Sequence, residues 1–352
     1  MSGIRKTRIE GDKTEKKFVL PHPTSGSELH DAEAVIPSAI IPGCCWRGHT
    51  TLFAGQSKSG KSTMIRDWLR RIHQQFQSYD PVPSMLPDRL VKAVNTLVIS
   101  EESGWAWEEF VQDLPGTAED KNWIRVLHRG HGRISPASSD ELEQWCDAVI
   151  EMCKVFEIGW VIIDPVTRFG SISSENDNSE VLRAMMAFER IATESYASVL
   201  LLHHTSKNGN DPRGCGAWQQ QPDAILGLRM LGDKENIDIE DGPPPERVRI
   251  LTGKGRFPDI ESQILCYADD EGRYHHIPGV LGRYTTKADL DGEKIVRFMT
   301  SNSLCQDGSK IRSSLGMEAG PFGRAMRLLV AKNRVVKSGS TKDSTYQLRE
   351  NI

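Results

Sequence analysis

The sequence predicts an α/β protein: a large domain with a largely parallel central sheet, followed by a small domain of three helices and a β-hairpin. Three observations carry this expectation. A chain of 352 residues exceeds the usual single-domain size. Between residues 34 and 280, short apolar runs alternate with longer amphipathic stretches, the pattern of βαβ units. From residue 288 to 352 that pattern gives way to three helical stretches and two short extended ones.

Residues 1–33 lack apolar periodicity and contain Pro21-His22-Pro23-Thr24-Ser25-Gly26-Ser27, which reads as a flexible arm. Strands are expected at 50–54, 96–100, 123–127, 160–164 and 198–203, and helices at 61–77, 140–156 and 178–195. Segments 224–230, 247–251 and 262–267 read as later strands finishing the sheet, with the acidic stretch 233–245 as an exposed loop between them. Helices at 292–301, 309–315 and 321–332, then extended segments at 335–340 and 345–348, make 288–352 a winged helix. Its third helix and that helix's end carry Arg324, Arg327, Lys332 and Arg334, where such a domain would meet a DNA groove. Winged helices also bind protein, so duplex DNA and a protein partner both stay open for this domain.

With 38% hydrophobic and 26% charged residues the composition is that of a soluble globular protein. No apolar run approaches the roughly 20 residues of a membrane span, and residues 1–17 show no signal-peptide core. A cytoplasmic protein with no membrane contact is expected. Seven cysteines form neither a C-x-x-C pair nor a zinc pattern, which reads as reduced thiols; Cys146 and Cys153, seven apart on a helix, can both face a core. Net charge is −4, but residues 287–352 hold 12 Lys and Arg against 7 Asp and Glu. That excess of five leaves −9 for the remainder, the asymmetry expected where one module touches nucleic acid.

The strongest motif is Gly55-Gln56-Ser57-Lys58-Ser59-Gly60-Lys61-Ser62, a complete G-x-x-x-x-G-K-[ST] between an apolar strand and an amphipathic helix. Glycines let the backbone curl so that N–H groups face phosphate oxygens, and the helix N-terminus adds its dipole. This is a nucleotide site: Lys61 bridges the β- and γ-phosphates, Ser62 binds Mg²⁺, and Thr63 sits near the α-phosphate. The apolar strand Trp160-Val161-Ile162-Ile163-Asp164 ends in an acid placed to hold the metal with Ser62. A third strand ends in Glu101-Glu102, one of which is expected to serve the attacking water. Alternation alone does not choose between them. The expected cofactors are ATP and Mg²⁺.

Over residues 36–257 the chain resembles RecA-like ATPases of the plasmid RepA helicase type, relatives of the hexameric replicative helicases. The resemblance rests on Asp164-Pro165-Val166-Thr167-Arg168-Phe169, Glu175-Asn176-Asp177-Asn178-Ser179-Glu180-Val181 and Leu201-Leu202-His203-His204-Thr205-Ser206-Lys207. It implies a RecA-like P-loop core with Glu102 as catalytic glutamate and His204 as γ-phosphate sensor. It also implies a homo-oligomeric ring, a hexamer, in which Lys254 and Arg256 reach the neighbouring subunit's nucleotide. Loops 171–178 and 207–218 would line a channel for single-stranded DNA, with Lys207 and Arg213 on phosphates. Trp218 suits a base stack or the sheet's buried edge equally well. The function implied is an ATP-driven helicase or translocase of DNA replication. A recombination or repair ATPase, and a nucleotide-switched DNA-binding regulator, would use the same nucleotide site.

Overall fold

The structure, a computed structural model, describes Ser25 and residues 37–349 apart from 79, 86–88, 206–210, 233–234, 237–242, 278–281, 284–286, 303–306, 332–333 and 340–344. The expected arm at 1–33 therefore lies outside the described residues except for Ser25, as do Lys207 and Lys332 and part of the loop expected at 233–245. A compact unit spans Pro37–Ile352.

In chain order this unit opens with the short pair β1 (Ala39–Ile41) and β2 (Cys45–Trp46), then β3 (Thr50–Gly55) and helix α1 (Lys61–Gln77). There follow β4 (Asn95–Ser100), α2 (Gly104–Gln112), β5 (Ile124–His128), α3 (Ser139–Val155) and β6 (Ile158–Asp164). Next come α4 (Val166–Phe169), α5 (Asn178–Ser195), β7 (Ser198–His203), α6 (Ala217–Gln220) and β8 (Ala224–Met230). β9 (Glu235–Asn236), β10 (Val248–Gly255), β11 (Gln263–Ala268), β12 (Tyr274–His276) and β13 (Gly282–Arg283) complete the large domain. The small domain holds α7 (Lys287–Ser301), α8 (Gly308–Ser314), α9 (Ala319–Ala331), β14 (Val335–Ser338) and β15 (Thr345–Leu348).

The main sheet runs β12-β11-β10-β8-β3-β7-β6-β4-β5. From β8 to β5 every neighbouring pair is parallel, while β8–β10, β10–β11 and β11–β12 are antiparallel. This is the α/β core the sequence predicts, extended on one side by an antiparallel flank. The parallel strands read as unbroken apolar runs because helices cover both faces. Alternate residues of β3 show it: Phe53 packs with Met64, Trp68 and Ile72 of α1, and Leu52 packs on the other face with Val149 of α3 and Phe188 of α5. Cys146 and Cys153 both lie in that second cluster, and burial pushes their thiols up to about 12 and about 11.

The segment expected at 247–251 as a strand continues to Gly255 as β10, and it pairs with β8 from Arg249 to Gly255. In the small domain, Ile295, Ile311, Phe322, Met326, Leu329 and Val335 share a separate core, and β14 and β15 pair antiparallel. Arg334, expected to face a DNA groove, is ion-paired with Glu293 of α7. Among the described residues no helix is long and apolar enough to cross a membrane.

Candidate active site

The topology gathers the site. β3, β7, β6 and β4 are consecutive and parallel, so their carboxyl ends lie side by side, the place where α/β sheets bind ligands. Register aligns those ends: Ala54 is opposite His203 and Ser100 opposite Asp164. Whatever follows each strand must therefore meet in one crevice. A cleft of about 420 Å³ lies there, and Lys61, Ser62, Thr63, Glu101, Glu102, Asp164 and His204 all line it, with Ser57, Lys58 and Gly60.

The loop after β3 turns through two residues in the left-handed region, Lys58 (φ 64) and Gly60 (φ 101). At Gly60 a glycine is required twice over. The positive φ strains any side chain, and a Cβ would stand 2.4 Å from the Tyr274 hydroxyl. No side chain caps α1, whose first amides stay open toward the cleft, whereas Asp177 caps α5 through the amides of Ser179 and Glu180. The antiparallel flank holds the loop from behind: Arg249 Nε donates to the Ser59 carbonyl at 2.8 Å and the Tyr274 hydroxyl to that of Gly60 at 3.3 Å. Neither residue carries a signal in the sequence, since the contacts span 190 and 214 positions.

Lys61 Nζ folds back on its own loop, donating to the carbonyls of Gly55 (2.6 Å) and Gln56 (3.0 Å). Burial lowers its pKa and nearby Asp164 works the other way. Asp164 is pushed up to about 6, first by burial and next by Glu102, with Lys61 opposing and Glu101 adding. The Glu102 amide donates to Ser100 Oγ at 3.1 Å and its carboxylate lies 3.5 Å from Arg66 of α1. Both glutamates line the cleft.

The two histidines separate cleanly. His203 is buried, its ring stacked on Trp218 at 4.2 Å and its Nε2 2.7 Å from the Arg213 carbonyl. His204 faces the cleft, and burial, then Lys61 and Arg213, lower its pKa. Trp218 is fully buried and its Nε1 donates to the Glu175 carbonyl at 3.2 Å, which settles it as a core residue rather than a base-stacking one. Arg213 is likewise engaged, in a two-pronged pair with Glu175.

Lys254 and Arg256 stand elsewhere. β10 runs against β8, placing Gly255 opposite Ala224, which in turn pairs with Thr51 near the start of β3. That is four residues, about 13 Å, below the loop at Gly55. Lys254 is 56% exposed with Asp211 4.0 Å away, and Arg256 donates to Asp223 at 2.9 Å.

A family model for the AAA domain matches residues 20–210, more than half of the chain. The chain belongs to this family. It is a P-loop ATPase of α/β fold, and the match takes in Lys61, Ser62, Glu101, Glu102, Asp164 and His204 of the cleft. Among solved structures it is similar to the RadB recombinase, at 14% identity over 66% of this chain and 91% of that one, with a TM-score of 0.43. A KaiC-like protein of the hyperthermophilic archaeon Pyrococcus horikoshii OT3 aligns at 12% identity over 69% of this chain and all of that one, with a TM-score of 0.48. No curated protein matches the chain.

The donor set suits magnesium. Among the described residues no three His, Cys, Asp or Glu side chains are grouped to hold a metal by themselves. One hydroxyl and one carboxylate, Ser62 and Asp164, are what Mg²⁺ takes when phosphate oxygens and waters complete its shell. Because Asp164 must be ionised to do this, Mg·ATP affinity is expected to be full well above pH 6. It should fall as pH drops through about 6, approaching tenfold per unit below it. Calorimetric titration between pH 5 and 8 checks this, and Asp164→Asn should flatten the dependence.

Proposed function

We propose that the chain is a DNA-stimulated ATPase motor, a ring-forming helicase or translocase that moves along single-stranded DNA as a homo-oligomer, a hexamer. The observation that carries this reading is the division of the site. Lys61, Ser62, Asp164, Glu102 and His204 share one cleft, while the cations Lys254 and Arg256 sit at the opposite end of the sheet. Such cations serve a phosphoryl transfer only from a second copy, which is the logic of a ring.

In this reading the amides of residues 55–63 and the Lys61 ammonium bind the phosphates. Ser62 and Asp164 would hold Mg²⁺, which would supply charge neutralisation for the transferred phosphoryl group. Glu102 orients the attacking water, and His204 registers the γ-phosphate. His204 is followed by the loop bearing Arg213, whose amide donates to the His204 carbonyl at 2.9 Å. Arg213 in turn grips Glu175 in the loop before α5. A change at His204 therefore reaches both loops that would line the channel, and Arg213 is released to DNA phosphate only by leaving Glu175. Lys254, with one distant carboxylate, is the freer of the two trans cations; Arg256 must first let go of Asp223.

The small domain we read as a winged helix that recruits the ring to duplex DNA or to a protein partner. The three helices and antiparallel pair of 287–348 support this, as does their basic excess.

Steady-state hydrolysis measured with and without single-stranded DNA tests the motor. Stimulation of about tenfold or more is expected, since strand binding should compete for Arg213 and reset both loops. Hydrolysis indifferent to DNA would sink the motor and leave a nucleotide-switched regulator.

A further inference from the structure

α8, α9 and the β14–β15 pair enclose an open groove of about 590 Å³ that the nucleotide chemistry does not use. Its floor is apolar. Phe322 and Met326 belong to the small domain's core and show one edge to the groove, with Val330, 38% exposed, and Tyr346 beside them. One wall is thin, because Ala319 and Gly323 lie one turn apart on the same stripe of α9. A Cβ added at Gly323 would meet nothing within 4 Å.

Three cations stand around this floor: Arg312 from α8, Arg327 from α9 and Lys337 from β14. Lys337 lies directly opposite Tyr346 across the hairpin, so the two side chains share one face of it. Among the described residues none of the three has an ion-pair partner. Asp307 is the acidic lining residue, and its carboxylate is taken up by the amides of Ser309 and Lys310 and by the Ser309 hydroxyl. The groove thus presents wettable apolar surface ringed by positive charge that no described residue pairs with, two features that one ligand relieves together.

We propose that this groove docks an acidic peptide segment of a partner protein, one that carries a large apolar side chain among aspartates or glutamates. The apolar side chain fills the space over Phe322, Met326 and Val330, and flanking carboxylates meet Arg312, Arg327 and Lys337. Charge-assisted pairing of carboxylate with arginine gives orientation, and burial of the anchor gives affinity. A nucleic-acid backbone fits the same place less well: its phosphates would pair with the cations but leave the apolar floor of Phe322, Met326 and Val330 uncovered.

The test uses the full-length protein and fluorescence anisotropy. The probe is a short labelled peptide with a central phenylalanine flanked by aspartates. The acidic peptide should bind, and its affinity should fall at least about tenfold when Asn replaces its aspartates or Ser replaces its Phe. The same loss is expected from Arg312→Glu with Lys337→Glu, and from Gly323→Leu, which fills the groove from a position with open space and favours helix. All these variants should keep wild-type ATP hydrolysis, so the outcome is independent of the motor reading. Unchanged binding in Gly323→Leu, equal affinity for the neutral peptide, or no binding of the acidic peptide would overturn the proposal. So would a labelled oligonucleotide that binds in its place and is lost with the same substitutions, which would make nucleic acid the occupant.

Discussion

Glu102→Gln is expected to bind Mg·ATP as the unaltered protein does and to hydrolyse it about 10²–10⁴-fold more slowly. The amide keeps the size of the carboxylate and can still accept from Arg66, 3.5 Å away, so the cleft's shape survives. What disappears is the charge that orients and deprotonates water. The effect should therefore fall on kcat with little change in nucleotide affinity. Lys61→Ala loses binding instead. Its ammonium rests on the Gly55 and Gln56 carbonyls, poised to exchange them for phosphate oxygens, and without it the cleft keeps Glu101, Glu102 and Asp164 with Lys58 as the lysine left in its lining. Glu101→Gln is the control that tests the assignment. It shares the cleft but not the ion pair to Arg66, and a small loss is expected. A loss as deep as that of Glu102→Gln would move the water-orienting role to Glu101.

How far the sequence could be read depended on the range of the interaction. The segment from β3 into α1 was legible because strand, loop and helix start are contiguous and the motif states its own geometry. Asp164 was legible because a buried strand that ends in an acid has few other uses downstream of such a loop. Trp218 was not. A tryptophan after a glycine-rich basic loop suits a stacked base as well as a core, and what decides it is the His203 ring and the Glu175 carbonyl, 43 residues away. The support of the phosphate loop by Arg249 and Tyr274 was invisible for the same reason. Helix α2 was also missed, since its nine residues follow directly on the glutamates and carry too short a period to separate from loop. Arg334 shows another long-range contact the sequence does not announce, an ion pair with Glu293, 41 residues away.

Lys254→Ala is expected to abolish most hydrolysis although the residue touches nothing in its own cleft, and mixing it with Glu102→Gln should restore activity. Within one chain the lysine is three strand positions below the loop and two strands to the side, beyond the reach of its side chain. If it acts, it acts on a neighbour. In a mixed ring a site that pairs an intact Glu102 from one copy with an intact Lys254 from the next is whole, although each parent lacks such sites. Equal mixing with random assembly makes about a quarter of interfaces whole. Hydrolysis should then rise from near zero in either parent to a fraction of that order, and it should depend on protein concentration as assembly does. A role for Lys254 inside its own subunit predicts no recovery, because both substitutions would then disable the site of the chain that bears them. Arg256→Ala should complement more weakly than Lys254→Ala. Its removal also leaves Asp223, which accepts from the Thr50 amide at the start of β3, without its guanidinium partner, so part of its loss is carried in cis.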